Sequence, residues 1–254
     1  MILAVDIGNT NVVLGLFNDN VLKFTERITT AQNKSVREYF ISIKNALEFN
    51  DIDSELIEGA VISSVVPSIT KIVKEALSEL ICGEIIVVNS NIITDINIQT
   101  DNPSQVGTDR IVDSVAIVNE YPLPAVIIDM GTATTISVID ENKNFIGGLI
   151  MAGVKISLDA LTSKTSQLPS VSFEAPSNLI GKNTVDCIKS GIVNGTASCL
   201  DGVISRIEKN LGMKVTAVAT GGLSHLIIPH CEHKIIYDEN LLLKGLICIY
   251  MKNR

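Results

Sequence analysis

Ala125-Val126-Ile127-Ile128-Asp129-Met130-Gly131-Thr132-Ala133-Thr134-Thr135 is an apolar run that stops at an Asp-x-Gly turn and resumes in β-forming residues as far as Ile139. It restates the start of the chain. There, residues 2–5 lead into Asp6-Ile7-Gly8-Asn9-Thr10-Asn11, and a second run covers residues 12–17. In each copy a polar turn and a third run follow: Asn18-Asp19-Asn20 before residues 21–24, and Asp140-Glu141-Asn142-Lys143-Asn144 before residues 145–150. Three short runs joined by turn residues predict an antiparallel meander. Two such meanders, each continued by helices and further strands, predict an α/β chain of two duplicated halves facing each other across a cleft.

Outward from the first meander, Ser35 opens a helical pattern through Phe40, Ile43, Ala46 and Leu47. Residues 59–66 form a buried strand, and Pro67 starts a helix through Ile69, Ile72, Val73 and Leu77. Residues 84–88 are another strand. A helix over residues 106–120 joins the halves without a Pro-, Gly- or Ser-rich linker, which sets the domains at 1–116 and 117–254. Beyond the second meander the longest helix spans residues 185–211, with a weak step at Asn194-Gly195. Residues 214–219 make a strand ending at Thr220-Gly221-Gly222, and residues 241–251 a closing helix.

The 254 residues are 46% hydrophobic and 19% charged, enough apolar material for a large core and too little charge for disorder. Aromatics are 4% and Trp is absent, so Ile, Val, Leu and Ala must build that core. The formal charge of −8, with no Lys/Arg block, argues against nucleic acid or an anionic membrane as partner. The five cysteines are scattered, with no Cys-x-x-Cys, and read as small buried hydrophobes in a reducing compartment. Asp6 comes too early for a signal peptide, and no apolar run approaches the ~20 residues of a membrane span. The expectation is a soluble, cytoplasmic protein.

Both Asp-x-Gly loops suit phosphate. Gly8 allows a tight turn, and the N–H groups and polar side chains beyond it can cradle phosphate oxygens. Asp6, at a strand end, can face a hydrated Mg²⁺ that bridges nucleotide phosphates. An ordinary hairpin turn also uses Asn and Gly, and threonines are ordinary strand residues. Matching positions in two halves favour a polyphosphate clamp. Near the start of the joining helix, Gly107-Thr108-Asp109-Arg110 adds a carboxylate that can accept a hydroxyl proton and a guanidinium that can bind carboxylate or phosphate. A helix N-terminus that merely favours Asp109 is the plainer alternative. His225, His230, His233 and Cys231 match no zinc spacing and read as surface residues. The P-loop, nucleophile-elbow and Gly-x-Gly-x-x-Gly patterns are absent from the sequence.

Together these pieces resemble the type III pantothenate kinases, within the superfamily of sugar kinases, actin and heat-shock chaperone ATPases. The resemblance spans nearly the whole chain. It is carried by Asp6-Ile7-Gly8-Asn9-Thr10, Ser64-Val65-Val66-Pro67, Asn102-Pro103 with Gly107-Thr108-Asp109-Arg110, Asp129-Met130-Gly131-Thr132-Ala133-Thr134, Gly147-Gly148, Thr220-Gly221-Gly222 and Gly245-Leu246. It implies two duplicated ribonuclease H-like (actin-like) domains with a nucleotide cleft between them. The implied activity is ATP-dependent phosphorylation of pantothenate at its terminal hydroxyl, giving 4′-phosphopantothenate, the first step toward coenzyme A.

On that resemblance Asp6, Ile7, Gly8, Asn9, Thr10, Asn11, Val12 and Val13 would bind ATP, with Asp6 facing Mg²⁺ through water and Thr132 touching the nucleotide. Gly107, Thr108, Asp109 and Arg110 would hold pantothenate, with Asp109 as proton acceptor. Asp129 would help bind a monovalent cation, K⁺ or NH₄⁺, and Thr184 would reach substrate across a homodimer interface. The chain departs from the family pattern at Gln99-Thr100-Asp101, where members often carry Tyr, and at Lys244, where many carry Glu. Three rival readings stand beside this one. They are a kinase of the same superfamily with another acceptor, a non-catalytic regulator, and an actin-like ATPase.

Overall fold

The computed structural model describes residues 1–89 and 91–254. They form two compact units that interleave along the chain: Met1–Ile96 with Asp101–Glu120 and Leu241–Arg254, and Asn97–Thr100 with Tyr121–Asn240.

In the first unit β1 (Ile2–Ile7), β2 (Asn11–Asn18) and β3 (Val21–Thr29) are the expected antiparallel meander. Asp19 and Asn20 make its tight turn with φ of 48° and 63°, a conformation that Asn and Asp tolerate and that fits hairpin twist. Next come α1 (Val36–Phe49), β4 (Gly59–Ser64), α2 (Pro67–Leu80) and β5 (Glu84–Val87). Helix α1 starts where Ser35 and Glu38 form a reciprocal capping box, and α2 has Pro67 in its first turn. The sheet order is β3-β2-β1-β4-β5, with β4 parallel to both β1 and β5. Alternate residues Leu3, Val5 and Ile7 of β1 meet Tyr39, Ile43 and Leu47 of α1 and Ile69, Val73 and Leu77 of α2. Helix α3 (Thr108–Glu120) also belongs to this unit.

The second unit repeats the plan. Its elements are β6 (Asn97–Ile98), β7 (Ala125–Met130), β8 (Ala133–Ile139), β9 (Asn144–Ala152), α4 (Val154–Ser163), α5 (Thr184–Leu211), β10 (Thr216–Thr220), α6 (Ser224–Ile227) and β11 (Ile235–Tyr237). The order β9-β8-β7-β10-β11 reproduces that of the first sheet, with β6 added beside β9. Val126, Ile128 and Met130 pack with Val193, Ala197, Leu200 and Ile204 of α5. Helix α5 runs unbroken through Asn194-Gly195. The Asn194 side chain donates to Ser190 Oγ one turn back, 3.0 Å away, and Val193 and Ala197 are buried on either side.

The closing helix, α7 (Leu241–Asn253), groups with the first unit, whereas the sequence pattern alone predicts a single boundary after residue 116. The reason is packing at long sequence separation. Leu241, Leu243, Leu246, Ile247, Ile249 and Tyr250 are buried, and each such side chain contributes about 1.5–3 kcal/mol once covered. Gly245 lies so close to the Val112 carbonyl of α3 that a Cβ would overlap it. Leu243 and Tyr250 fill the spaces over Gly15 of β2 and Gly59 of β4.

Candidate active site

Parallel pairing of β1 with β4 sets Asp6 beside Ser63 and Ile7 beside Ser64 at the carboxyl ends of the strands, the edge where α/β sheets bind ligands. The β1–β2 loop is held from two sides. Gly8 N–H donates to the Asn11 carbonyl at 2.9 Å, and Thr30 Oγ1 donates to the Gly8 carbonyl at 2.8 Å. Thr30 N–H also donates to the Thr10 carbonyl at 2.9 Å. Asn9 and Thr10 are exposed at the loop tip, while Asp6, Gly8, Asn11 and Val13 are half-buried. Ile7 and Val12 are fully buried, backbone included, so neither is open to a ligand and the sequence-based expectation that they touch ATP is not met; the open part of the loop is Asn9 and Thr10.

Ser64 brings the third motif to the same edge. Its carbonyl accepts from Thr108 Oγ1 at 3.0 Å, and its hydroxyl accepts from Val66 N–H at 3.0 Å and Thr70 Oγ1 at 2.8 Å. Val65 N–H donates to the Ile7 carbonyl at 3.1 Å. The start of α3, with Gly107, Thr108, Asp109 and Arg110 all half-buried, is thereby fixed at the end of β4. Asp109 Oδ1 accepts from Arg110 N–H at 2.8 Å, and a Cβ on residue 107 would strike the same carboxylate. Burial pushes the Arg110 guanidinium below its usual range, and the Asp109 charge partly restores it. The first unit therefore collects an acid at a strand end, a loop with accessible backbone, and an acid–arginine pair at a helix start.

The second unit holds the matching loop. Asp129 pairs with Thr135 across β8 and with Thr220 across β10, and Gly131 N–H donates to the Ala133 carbonyl at 3.0 Å. Thr132 is exposed, whereas Thr134 is buried. Gly221 has φ of +90°, and a Cβ there would stand 2.7 Å from both Asp129 Oδ1 and the Met130 nitrogen. Only glycine tolerates both demands.

Thr184 is exposed in the first turn of α5, after Asn183, whose side chain accepts from Asp186 N–H at 2.9 Å. It lines a cavity of about 360 Å³ with Leu161, Leu168, Cys187, Ile188 and Ile192. That cavity is in the second unit, whereas Asp6 and Asp109 lie in the first.

The remaining residues singled out in the sequence lie outside these loops. No group of three or more His, Cys, Asp or Glu able to hold a metal occurs among the described residues. His233 sits half-buried against Asp201, 3.1 Å from it. Cys82, Cys187 and Cys199 are exposed rather than buried; for the latter two the reason is that α5 turns Ile188, Val193 and Ala197 inward and its two cysteines out. Burial, with a smaller push from Asp201, takes the half-buried Cys231 thiol up to about 12. Lys244 pairs with Glu120 at 2.8 Å, and Thr100 carries a buried hydroxyl without a hydrogen-bond partner. No helix of the described residues is long and apolar enough to cross a membrane. The anchoring roles of Thr30, Ser64 and Thr108 are not legible in their motifs; Ser63-Ser64, two hydroxyl residues inside the apolar run 59–66, are the available signal.

The family model for type III pantothenate kinase matches residues 2–206. The chain belongs to that family. A type III pantothenate kinase of Moorella thermoacetica is 38% identical over 253 residues, covering 100% of both chains. Among solved structures, a Campylobacter jejuni protein designated a Baf-family transcriptional activator matches 99% of this chain and 98% of its own, with TM-score 0.60 and 20% identity. A ROK hexokinase from Thermus thermophilus matches 100% and 99%, with TM-score 0.50 and 12% identity. At those identities the two structures speak for the fold alone. It is the duplicated ribonuclease H-like, actin-like fold that sugar kinases share, and this pantothenate kinase family member carries two copies of the sheet plan.

Proposed function

We propose that the protein transfers the γ-phosphoryl group of ATP to the terminal hydroxyl of pantothenate, with Asp109 as the proton acceptor. The observation that carries this is the Thr108–Ser64 hydrogen bond of 3.0 Å, which fixes the Asp109–Arg110 pair at the same strand edge as Asp6 and the Gly8 loop. The exposed Asn9 and Thr10, with the half-buried Gly8, Asn11 and Val13 beside them, bind the phosphates, and Thr132 contacts the nucleotide. Gly107 and Thr108 shape the acceptor pocket, Arg110 binds the pantothenate carboxylate through its planar fork, and Asp109 orients the hydroxyl and takes its proton late. Positioning and fixed charge supply most of the rate, as suits a loose transition state.

A divalent ion carried with ATP needs one or two protein carboxylates and otherwise keeps water and phosphate ligands. Asp6, a single half-buried carboxylate beside the open loop, fits that demand. When bound, Mg²⁺ spreads the charge of the β- and γ-phosphates. Asp129 fits a hard monovalent cation, K⁺ or NH₄⁺: its Oδ1 borders the space that a Cβ at residue 221 would fill. Thr184 serves the substrate pocket of a second protomer. It is exposed beside an apolar cavity, and Leu179 and Ile180 just before α5 are exposed as well, as a covered homodimer face requires. The same reading places the enzyme in the cytoplasm.

The test is ADP release from Mg-ATP with and without pantothenate, in K⁺ and again in Na⁺ buffer. Turnover that needs pantothenate and K⁺ supports acceptor and cation site together. Turnover indifferent to the cation removes the Asp129 site, and turnover with another acceptor only removes pantothenate.

A further inference from the structure

Ser63 is fully buried on β4, and its hydroxyl has no hydrogen-bond partner. A buried hydroxyl in that state is destabilising, and such exceptions call for a reason. Its flanks narrow the choice. Across β1 the paired residue is Asp6, and neighbours in register present their side chains on one face of the sheet. Across β5 the register Ile62–Val87 brings Val88, a buried apolar residue, to the other flank. The polar neighbour in the sheet is therefore the strand-end carboxylate.

The second sheet repeats the arrangement independently. Asp129 pairs with Thr220 at the corresponding position of β7 and β10, and Thr220 is buried too. Twice, the fold places a buried hydroxyl residue beside the aspartate that ends its central strand.

We infer that Ser63 is a positioning residue: its hydroxyl donates to the Asp6 carboxylate when the phosphate site is loaded and holds that carboxylate toward the incoming metal–nucleotide. This rests on the proposed role of Asp6 in binding Mg-ATP. The hydroxyl without a partner is then a donor available to that carboxylate, and outer donors of this kind typically set metal affinity by 10–100-fold.

The experiment is calorimetric titration of the full-length protein with adenylyl imidodiphosphate, once with Mg²⁺ and once with EDTA, alongside a melting curve. Ser63→Ala is expected to weaken binding of the Mg²⁺ complex tenfold or more, to leave the metal-free nucleotide unaffected, and to keep or raise Tm, since it removes an unpaired polar group. Ser63→Thr, which keeps the hydroxyl in the form the second sheet uses, is expected to restore binding. Wild-type affinity for the Mg²⁺ complex in Ser63→Ala would overturn the inference. So would equal losses with and without metal together with a lowered Tm, the mark of a packing role. Should wild-type protein show the Mg²⁺-dependent difference yet fail to phosphorylate pantothenate, the acceptor assignment falls and Ser63 keeps its role.

Discussion

The two strand edges share a topology and diverge one residue past the buried hydroxyl. In the first sheet Ser64 follows Ser63 and spends its carbonyl and hydroxyl on Thr108, Val66 and Thr70, tying the start of α3 and of α2 to the strand end. In the second sheet Gly221 follows Thr220, and its missing side chain leaves room against Asp129. The loops differ in the same sense. Four residues separate the last β1–β2 pair, Ile7 with Val12, whereas three separate Met130 from Thr134. One copy of the plan gathers polar and charged side chains from several elements. The other presses backbone around a single carboxylate, which suits a held ion better than a reacting group.

The largest effect that would sharpen this contrast is at Asp109. Asp109→Asn should lower kcat by at least about a hundredfold, the lower end for a removed general base, while nucleotide affinity measured by calorimetry stays within about twofold. Near-normal turnover would move the proton acceptor elsewhere. Next is Gly221→Ala, which forces a Cβ into a backbone of φ +90° and against Asp129 and Met130. Strain of about 1–3 kcal/mol plus the overlap should lower Tm by roughly 5–10 °C. At Gly8 the Cβ would meet only the Asn11 carbonyl, at 3.3 Å, so Gly8→Ala should cost under about 1 kcal/mol. Equal costs at the two glycines would break the comparison. Thr30→Val removes the 2.8 Å bond to the Gly8 carbonyl and should raise KM for ATP by about fivefold, the equivalent of one hydrogen bond near 1 kcal/mol. An unchanged KM would mean that the loop holds its shape without that bond.

The smallest effect lies at the far ends of the meanders. The first turn rests on positive φ at Asp19 and Asn20. The second is held by Asp140, whose carboxylate accepts from Asn142 N–H at 2.9 Å, Asn144 N–H at 2.8 Å and the Asn144 side chain at 2.7 Å. Burial pushes the Asp140 pKa up, but those donors outweigh it and hold the group below its usual value. A depressed folded pKa adds stability that is present above the unfolded pKa, about 3.9, and is lost as pH falls through the folded one. Asp140→Ala should therefore cost about 1 kcal/mol at neutral pH, with the difference from wild type shrinking in melts taken below about pH 3.5. A difference that persists at low pH would show that the carboxylate charge is not what holds the turn.

Much of the architecture was legible because its signals are local. Apolar runs ending in Asp-x-Gly mark both meanders, Ser35 with Glu38 marks a helix start, and Pro67 marks another. What stayed hidden depends on partners distant in sequence. The grouping of α7 with α3 follows from Gly245 meeting Val112, more than a hundred residues away, and nothing near either residue announces it. Short β6 exists only through its pairing with β9. The weak step in α5 held because burial on both sides outweighs one glycine. In the site, the acids and glycines were readable from their motifs, while the bonds of Thr30, Ser64 and Thr108 that set their geometry were not.

The most direct test of phosphoryl transfer to pantothenate is mass spectrometry of pantothenate after incubation with the wild-type protein, Mg-ATP and K⁺. One added phosphoryl group on pantothenate, formed in step with ADP, is the predicted result. Unmodified pantothenate in the presence of bound ATP would contradict the account.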